Sequence, residues 1–349
     1  MTTGNQAVPT LSVVMPMYNA ERHMERCLAP LLAMLTAGEI LEIIVVRDCA
    51  TDRSEDIVRG HTEVRMMRTE RQGGPGAARN LGVTVAGGDF VWFVDSDVVL
   101  ADDAARVLSA VLAQDTPAAV IGSYDDQPDA ANFLSQYKNL VHHYFHNRSH
   151  RHASTFWAGC GAVRRQLFNE LGGFDAVAYP HPSIEDIELG YRIVEAGEEI
   201  SLEPRLRGKH LKEWRFKNLV HTEVFRRAIP WSRLMLTRSV VTTDLNVSQG
   251  ELVRAGLAGL TALTLLAALP GFVPAWVPLV PLGCSAAASR EMLTFFYRKK
   301  GAWFAFRAFL FHQVYYLYSS ASFAFASIRF EMHRTARSAQ KESDWKVGP

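Results

Sequence analysis

The apolar run Phe90–Val94 ends in Asp95-Ser96-Asp97, two carboxylates two residues apart. Breaking off a buried strand, such a pair can hold a hard divalent cation through oxygen ligands, with diphosphate oxygens completing the shell. The cation would neutralise charge growing on a departing nucleotide diphosphate. Taken alone, the pair is equally a solvated acidic turn. Its company favours the site. Pro16-Met17-Tyr18-Asn19 follows an earlier apolar run, and a tyrosine there can stack on a base. Asp48 ends a second run, where a carboxylate can accept from a nucleobase imide. Gly73-Gly74-Pro75-Gly76 leads to Arg79, whose fork suits phosphate or carboxylate. The glycine segment lacks GK[ST], so it is no P-loop. It follows the third strand rather than the first and lacks a third glycine, which argues against a dinucleotide fingerprint.

The elements that must position these residues alternate in the α/β manner. Leu11–Met15, Leu41–Val46, Val64–Arg68 and Phe90–Val94 read as strands. Ala20–Leu35, with apolar residues at helical spacing, Asp52–Gly60 and Pro75–Ala86 read as the intervening helices. The expected fold is a Rossmann-like, mostly parallel sheet with helices on both faces, its ligand site at the carboxyl ends of the strands. Tyr18, Asp48, Asp95 and Asp97 all fall just past those ends. Residues 130–230 alternate less regularly and read as α+β.

The set SVVMPMYN, RDCATDRS, GGPGAARNLG, FVDSD, GGFD and IEDIELGYR resembles the family 2 glycosyltransferases over about residues 11–210. The resemblance implies the GT-A fold and an inverting transfer from a nucleotide-sugar donor, a UDP- or GDP-sugar, with Mg²⁺ or Mn²⁺. Carried over, Pro16, Tyr18, Asn19, Asp48, Arg79, Asp95 and Ser96 would bind the nucleotide sugar. Asp95 and Asp97 would hold the metal, with His210 as third ligand. Asp186 would be the catalytic base, with Glu185 as its neighbour; inversion requires a carboxylate on the far face of the sugar. Without the family, the same acids are a cluster favoured by a helix N-terminus. Trp157, Gly159 and Cys160 resemble the strand lining the acceptor pocket. Where the family has two consecutive acids, this chain has Arg47-Asp48, and Cys49-Ala50 replaces Gly-Ser; uracil and guanine both stay open. QxxRW, the mark of processive members, is absent, so a single, non-processive transfer is expected.

Composition supplies the rest. With 48% hydrophobic and 21% charged residues the 349-residue chain is globular rather than disordered. Its net charge of +1 hides a basic belt: residues 205–238 hold ten Lys or Arg against Glu213 and Glu223. Just before an apolar run, that belt suggests an anionic membrane surface and no nucleic acid. His210-Leu-Lys212-Glu-Trp214 and Pro230-Trp231 read as interfacial, with Trp at headgroup level. The four cysteines are scattered, which implies a reducing compartment. The N-terminus shows no leader pattern, so the first domain is expected on the cytoplasmic side.

No Asp, Glu, Lys or Arg occurs from Ala255 to Ser289. Candidate spans are 252–269 and 272–289, with an interfacial or re-entrant helix at 302–328; a buried helical hairpin is the alternative. The domains are thus 8–230, catalytic, and 231–349, a membrane-associated region of interfacial and transmembrane helices. His142, His146 and His150, four apart, with His143 and His152, read as a surface meeting an acceptor or headgroup phosphate rather than a separate metal site. Together these features imply transfer to a membrane lipid, polyprenyl phosphate or a glycolipid, at the cytoplasmic face. The alternatives are a tethered transferase with a soluble or glycan acceptor, and a catalytically silent nucleotide-sugar-binding membrane protein.

Overall fold

The computed structural model describes residues 8–238 and 248–346. The N-terminal residues on which the leader reading rests lie outside them. Two compact units result, Met1–Arg215 and Phe216–Pro349, a division earlier than the change in composition suggests.

The first unit runs β1 (Leu11–Met17), α1 (Met24–Thr36), β2 (Glu42–Arg47), α2 (Ser54–Arg59), β3 (Val64–Arg68), α3 (Gly74–Val83), β4 (Phe90–Val94) and β5 (Val98–Leu100). It continues through α4 (Ala104–Gln114), β6 (Ala119–Tyr124), α5 (Phe133–Arg148), β7 (His152–Ala153), β8 (Cys160–Arg164), α6 (Arg165–Glu170), α7 (Glu185–Glu195) and β9 (Ile200–His210). The strands form one sheet in the order β3-β2-β1-β4-β8-β6-β9-β5, with β7 also on β9. The β3-β2-β1-β4 half is wholly parallel, Val13 lying between Ile43 and Trp92. At β4 the sense changes: β8 runs antiparallel to it, Cys160 opposite Val94.

β1 and β4 are buried at every residue, because helices cover both faces and the strands can be apolar throughout. Phe93 packs edge-on against Phe156 and Phe174 and tilted against Phe168, at centroid distances of 5.1–6.3 Å. Burying rings of this kind stabilises by about 1.5–3 kcal/mol each, and the cluster pins β4 to the segments before β8 and α7.

The second unit is helical: α8 (Phe216–His221), a π-helical stretch (Thr222–Ala228), α9 (Ile229–Arg238), α10 (Gln249–Ala268), α11 (Leu279–Ala288) and α12 (Arg290–Lys346), the last broken at Gly301 by φ 83°. Ser248 caps α10, accepting from the Glu251 amide. Among the described residues only α10 is long and apolar enough to cross a membrane by length and composition, and just 11% of its apolar window is buried. The return limb expected at 272–289 is helical only over the ten residues of α11, about 15 Å at ~1.5 Å per residue. Inside this unit Tyr316 donates to Glu251 at 2.6 Å, and Ser285 donates to Gln313 at 3.1 Å. These bonds tie α10 and α11 to α12.

Candidate functional site

The carboxyl ends of β1, β2 and β4 lie side by side, and the chain breaks off each at one of the residues expected to bind the donor. After β1, Tyr18 is half exposed, its ring free to meet a ligand. Asn19 adopts φ 50° and accepts through Oδ1 from the Thr51 amide at 2.8 Å, tying the β1 turn to the β2 turn. Pro16 stays inside β1, paired with Val46.

Asp48 is buried. Its Oδ1 accepts from Thr69 Oγ1 (2.8 Å) and the Gly73 amide (2.9 Å), and its Oδ2 from the Gly74 amide (2.8 Å). It therefore closes off the start of α3, where free amides and the helix dipole favour an anion. Of the roughly four acceptor positions on a carboxylate, one on Oδ2 remains for a base. Gly74 sits at φ 78°, and a Cβ there would fall 2.6 Å from the Pro180 carbonyl oxygen, so no other residue fits this turn.

Past β4, Asp95 and Asp97 behave differently. Burial works against ionising Asp97, but the facing His210, Lys212 and His23 hold its carboxyl down at about 2. Asp97 Oδ2 lies 3.5 Å from His210 Nε2. Two ligands on adjacent corners of a ~2.1 Å shell stand about 3 Å apart, so a divalent cation fits between these donors with little adjustment. The Leu211 amide donates to the Asp97 carbonyl at 2.8 Å and fixes β9 against this turn. Asp95 instead accepts through Oδ1 from Arg79 Nη2 at 2.6 Å. Burial pushes its carboxyl above the usual range, with Arg79 pulling it down and Asp97 adding to the rise. Among the described residues no three His, Cys, Asp or Glu side chains converge into a ready-made metal cluster. Asp97 and His210 make up two corners, and Asp95 is turned to Arg79.

Arg79 is therefore not an open phosphate fork. It is 4% exposed and donates through Nη1 to Glu185 Oε1 at 3.2 Å as well as to Asp95, its guanidinium 5.4 Å from the Phe174 ring centroid. Glu185 is likewise buried, its Oε2 accepting from the Ser183 amide at 2.9 Å. It faces inward, against the reading that pairs it with Asp186 in catalysis.

Asp186, partly exposed at the start of α7, accepts through Oδ2 from the Ala158 amide at 3.2 Å and through Oδ1 from the Ile187 amide at 2.9 Å. One residue on, the Gly159 carbonyl accepts from the Asp95 amide at 3.3 Å. The Trp157 indole lies over Gly159, 2.8 Å from where a Cβ would be. Trp157 is partly buried. Cys160, expected beside it in the acceptor pocket, is fully buried, and burial pushes its thiol up to about 12. Ser96 turns its carbonyl to the Cys27 thiol at 3.4 Å.

The histidine-rich helix also departs from expectation. His143 and His146 place Nδ1 2.8 Å and 2.9 Å from the Tyr124 and Gly122 carbonyls of β6. His142 stacks on His146 (3.9 Å) and lies 4.4 Å from Tyr124. Tyr124 in turn stacks flat on His210, 4.4 Å apart at 7°. These side chains back His210 instead of forming a phosphate-binding surface. Tyr124 was not legible as a site residue; an aromatic ending a strand before Asp125-Asp126 was the available signal. Trp214, expected at headgroup level, is 6% exposed with Lys212 over its ring at 4.3 Å.

A family profile described as Glycosyl transferase family 2 matches residues 12–172. The poly(ribitol-phosphate) beta-glucosyltransferase of Bacillus spizizenii is 38% identical over 99 residues, 27% of this chain and 16% of that protein. The pre-mycofactocin glycosyltransferase of Mycobacterium tuberculosis is 28% identical over 205 residues, 56% of this chain and 41% of that protein. The chain thus spans less than half the length of these curated relatives. Among solved structures, the Pyrobaculum calidifontis mannosyltransferase PcManGT with GDP-Man and Mn²⁺ aligns with TM-score 0.55 at 19% identity, covering 91% of this chain and 88% of that one. Staphylococcus aureus TarS with UDP-GlcNAc aligns with TM-score 0.51 at 17% identity, covering 94% and 92%.

Proposed function

Through residues 12–172 the chain belongs to the family 2 glycosyltransferases, with the GT-A fold, and we propose that it is an inverting, metal-dependent enzyme moving one sugar from a UDP- or GDP-sugar to a membrane lipid acceptor. The observation that carries this reading is the three-residue span Trp157–Gly159. Its Ala158 amide donates to Asp186 and its Gly159 carbonyl accepts from the Asp95 amide. One rigid segment thereby fixes the carboxylate suited to the donor against the carboxylate suited to the acceptor, as displacement at a single carbon requires.

In this mechanism Tyr18 stacks on the base and Asp48 Oδ2 accepts from its edge. Asp97, His210 and Asp95 would hold Mg²⁺ or Mn²⁺, which supplies charge neutralisation for the diphosphate. The acceptor oxygen attacks the anomeric carbon from the face opposite the diphosphate. The bond to the diphosphate oxygen breaks with its electron pair, and Asp186 takes the proton when the acceptor is a hydroxyl. Glu185 and Arg79 shape this arrangement from behind.

The lipid acceptor rests on α10, whose Leu252, Leu260, Leu263, Leu265 and Leu266 are exposed. A helix that apolar and that bare fits a bilayer, with the catalytic unit at the cytoplasmic face. A second reading, a membrane-tethered enzyme with a glycan acceptor, is favoured by the relative named for poly(ribitol-phosphate) glucosylation.

The test is thermal stabilisation by a panel of UDP- and GDP-sugars with and without Mn²⁺. A ligand at about 100 times its Kd adds about 2.7 kcal/mol to the folded state. One nucleotide class should stabilise the protein in a Mn²⁺-dependent manner, and Asp97→Ala should remove the Mn²⁺-dependent part. A panel without effect, or an Asp97→Ala protein responding like the wild type, contradicts the proposal.

A further inference from the structure

Arg79 occupies a position that donor binding alone does not explain. A guanidinium 4% exposed, shared between Asp95 Oδ1 at 2.6 Å and Glu185 Oε1 at 3.2 Å, is a built ion triad. A guanidinium stays a cation at any ordinary pH, and here two carboxylates are within ion-pair distance of it. The same Asp95 is one of the two carboxylates available to a metal. Resting on the donor-site reading above, we propose that Arg79 is an internal counter-ion for Asp95, which makes the site weak for a bare divalent cation and strong for a cation carrying a nucleoside diphosphate.

The argument is electrostatic. Asp97 and His210 offer a cation one negative charge and one imidazole, while Arg79 cancels most of what Asp95 would add. At contact distances inside a protein such a charge is a large term. A bare Mn²⁺ approaching Asp95 meets the guanidinium's repulsion, which Glu185 on the far side of the fork offsets only in part. A Mn²⁺–diphosphate chelate brings its own negative oxygens, so the repulsion shrinks and Asp95 would need to offer only Oδ2, its Oδ1 staying on Arg79. Glu185 holds the other side of the fork. Since Glu185 opens α7 immediately before Asp186, the counter-ion also fixes the acceptor-side helix. Arg79 and Glu185 are positioning residues in this scheme, acting through Asp95 and Asp186.

The experiment measures Mn²⁺ binding to the full chain in detergent by calorimetry, with Mn²⁺ alone and then with UDP and with GDP. The wild type should bind Mn²⁺ at least about tenfold more tightly when the matching diphosphate is present. Arg79→Met with Glu185→Gln removes the counter-ion without leaving Glu185 an unpaired buried charge. It should bind bare Mn²⁺ about tenfold more tightly than the wild type and lose most of the synergy. Glu185→Gln alone leaves Arg79 wholly to Asp95 and should shift bare Mn²⁺ binding the opposite way, a few-fold weaker. A merely structural Arg79 gives weaker metal binding in the double variant, and a phosphate-contacting Arg79 gives loss of diphosphate affinity with bare Mn²⁺ unchanged; either result overturns the proposal. Should the double variant not fold, an unchanged or tighter bare-ion affinity in Glu185→Gln does the same. A wild type that binds neither diphosphate under any condition contradicts the transferase reading itself, which is a separate outcome.

Discussion

Asp186 accepts from the Ala158 amide through one oxygen and from the Ile187 amide through the other. An asparagine there keeps one acceptor oxygen but cannot take a proton. Asp186→Asn should therefore leave Mn²⁺-dependent donor stabilisation intact and lower the transfer rate to a hydroxyl acceptor by about 10²–10⁴-fold. With a phosphate acceptor, whose oxygen is already anionic, the loss should be shallower. Steady-state transfer with both acceptor types checks this, and full activity on each would reduce Asp186 to a helix-start acid. The contrast between Asp186 and Glu185 shows where residue-level reading stops. Adjacent acids at a helix start look alike in sequence. Which of them turns toward Arg79 depends on a partner 106 positions away. Arg79 is the same case: its type announces an anion, but only the fold decides whether that anion is a phosphate or two buried carboxylates. Asp95 and Asp97 were legible because a buried strand has to end in something soluble, and two acids there are chemically conspicuous.

Helix α7 carries Asp186 and is seated by close contact. A Cβ on Gly190 would stand 2.2 Å from the Phe156 amide nitrogen, and backbone cannot move aside as a side chain end can. Gly190→Ala should push α7 off this segment, cost about 1–3 kcal/mol of stability and lower transfer sharply. Metal-dependent donor binding, built on the ends of β1, β2 and β4 with His210 of β9, should survive. Calorimetry beside a donor-binding titration separates the two effects, and an alanine variant with wild-type stability and activity would show α7 to be seated otherwise. The strands β1, β2 and β4 could be read from sequence because burial on both faces makes them almost continuously apolar, whereas β3, at the sheet edge, keeps only Val64 buried. The three-residue β5 and two-residue β7 are too short for any period to register. β9 hides its eleven residues behind Glu203, Pro204, Arg205, Arg207 and Lys209; its existence depends on pairing with β6, not on its own pattern. Trp214 was misread for a related reason, since a Trp among basic residues suits an interface and a packed pocket equally, and the fold chose the pocket.

For the molecule as a whole, a compact α/β unit and a helical unit follow one another, each with its own packing. The apolar character of α10 was plain in the uncharged run, whereas the shortness of α11 was not, because Pro270, Pro274, Pro278 and Pro281 permit several ways of breaking the chain. The proposal joins the two units in one activity: sugar leaves a nucleotide on the first and reaches a lipid that the second keeps at hand. The direct measurement is nucleoside diphosphate release by the full chain in vesicles, with Mn²⁺ present or chelated and with polyprenyl phosphate present or omitted. The account predicts that one UDP- or GDP-sugar gives release that needs Mn²⁺, rises at least about tenfold with the lipid, and yields a glycosyl lipid of inverted anomeric configuration. If no nucleotide sugar gives metal-dependent release with any lipid, glycan or soluble acceptor, the account is contradicted.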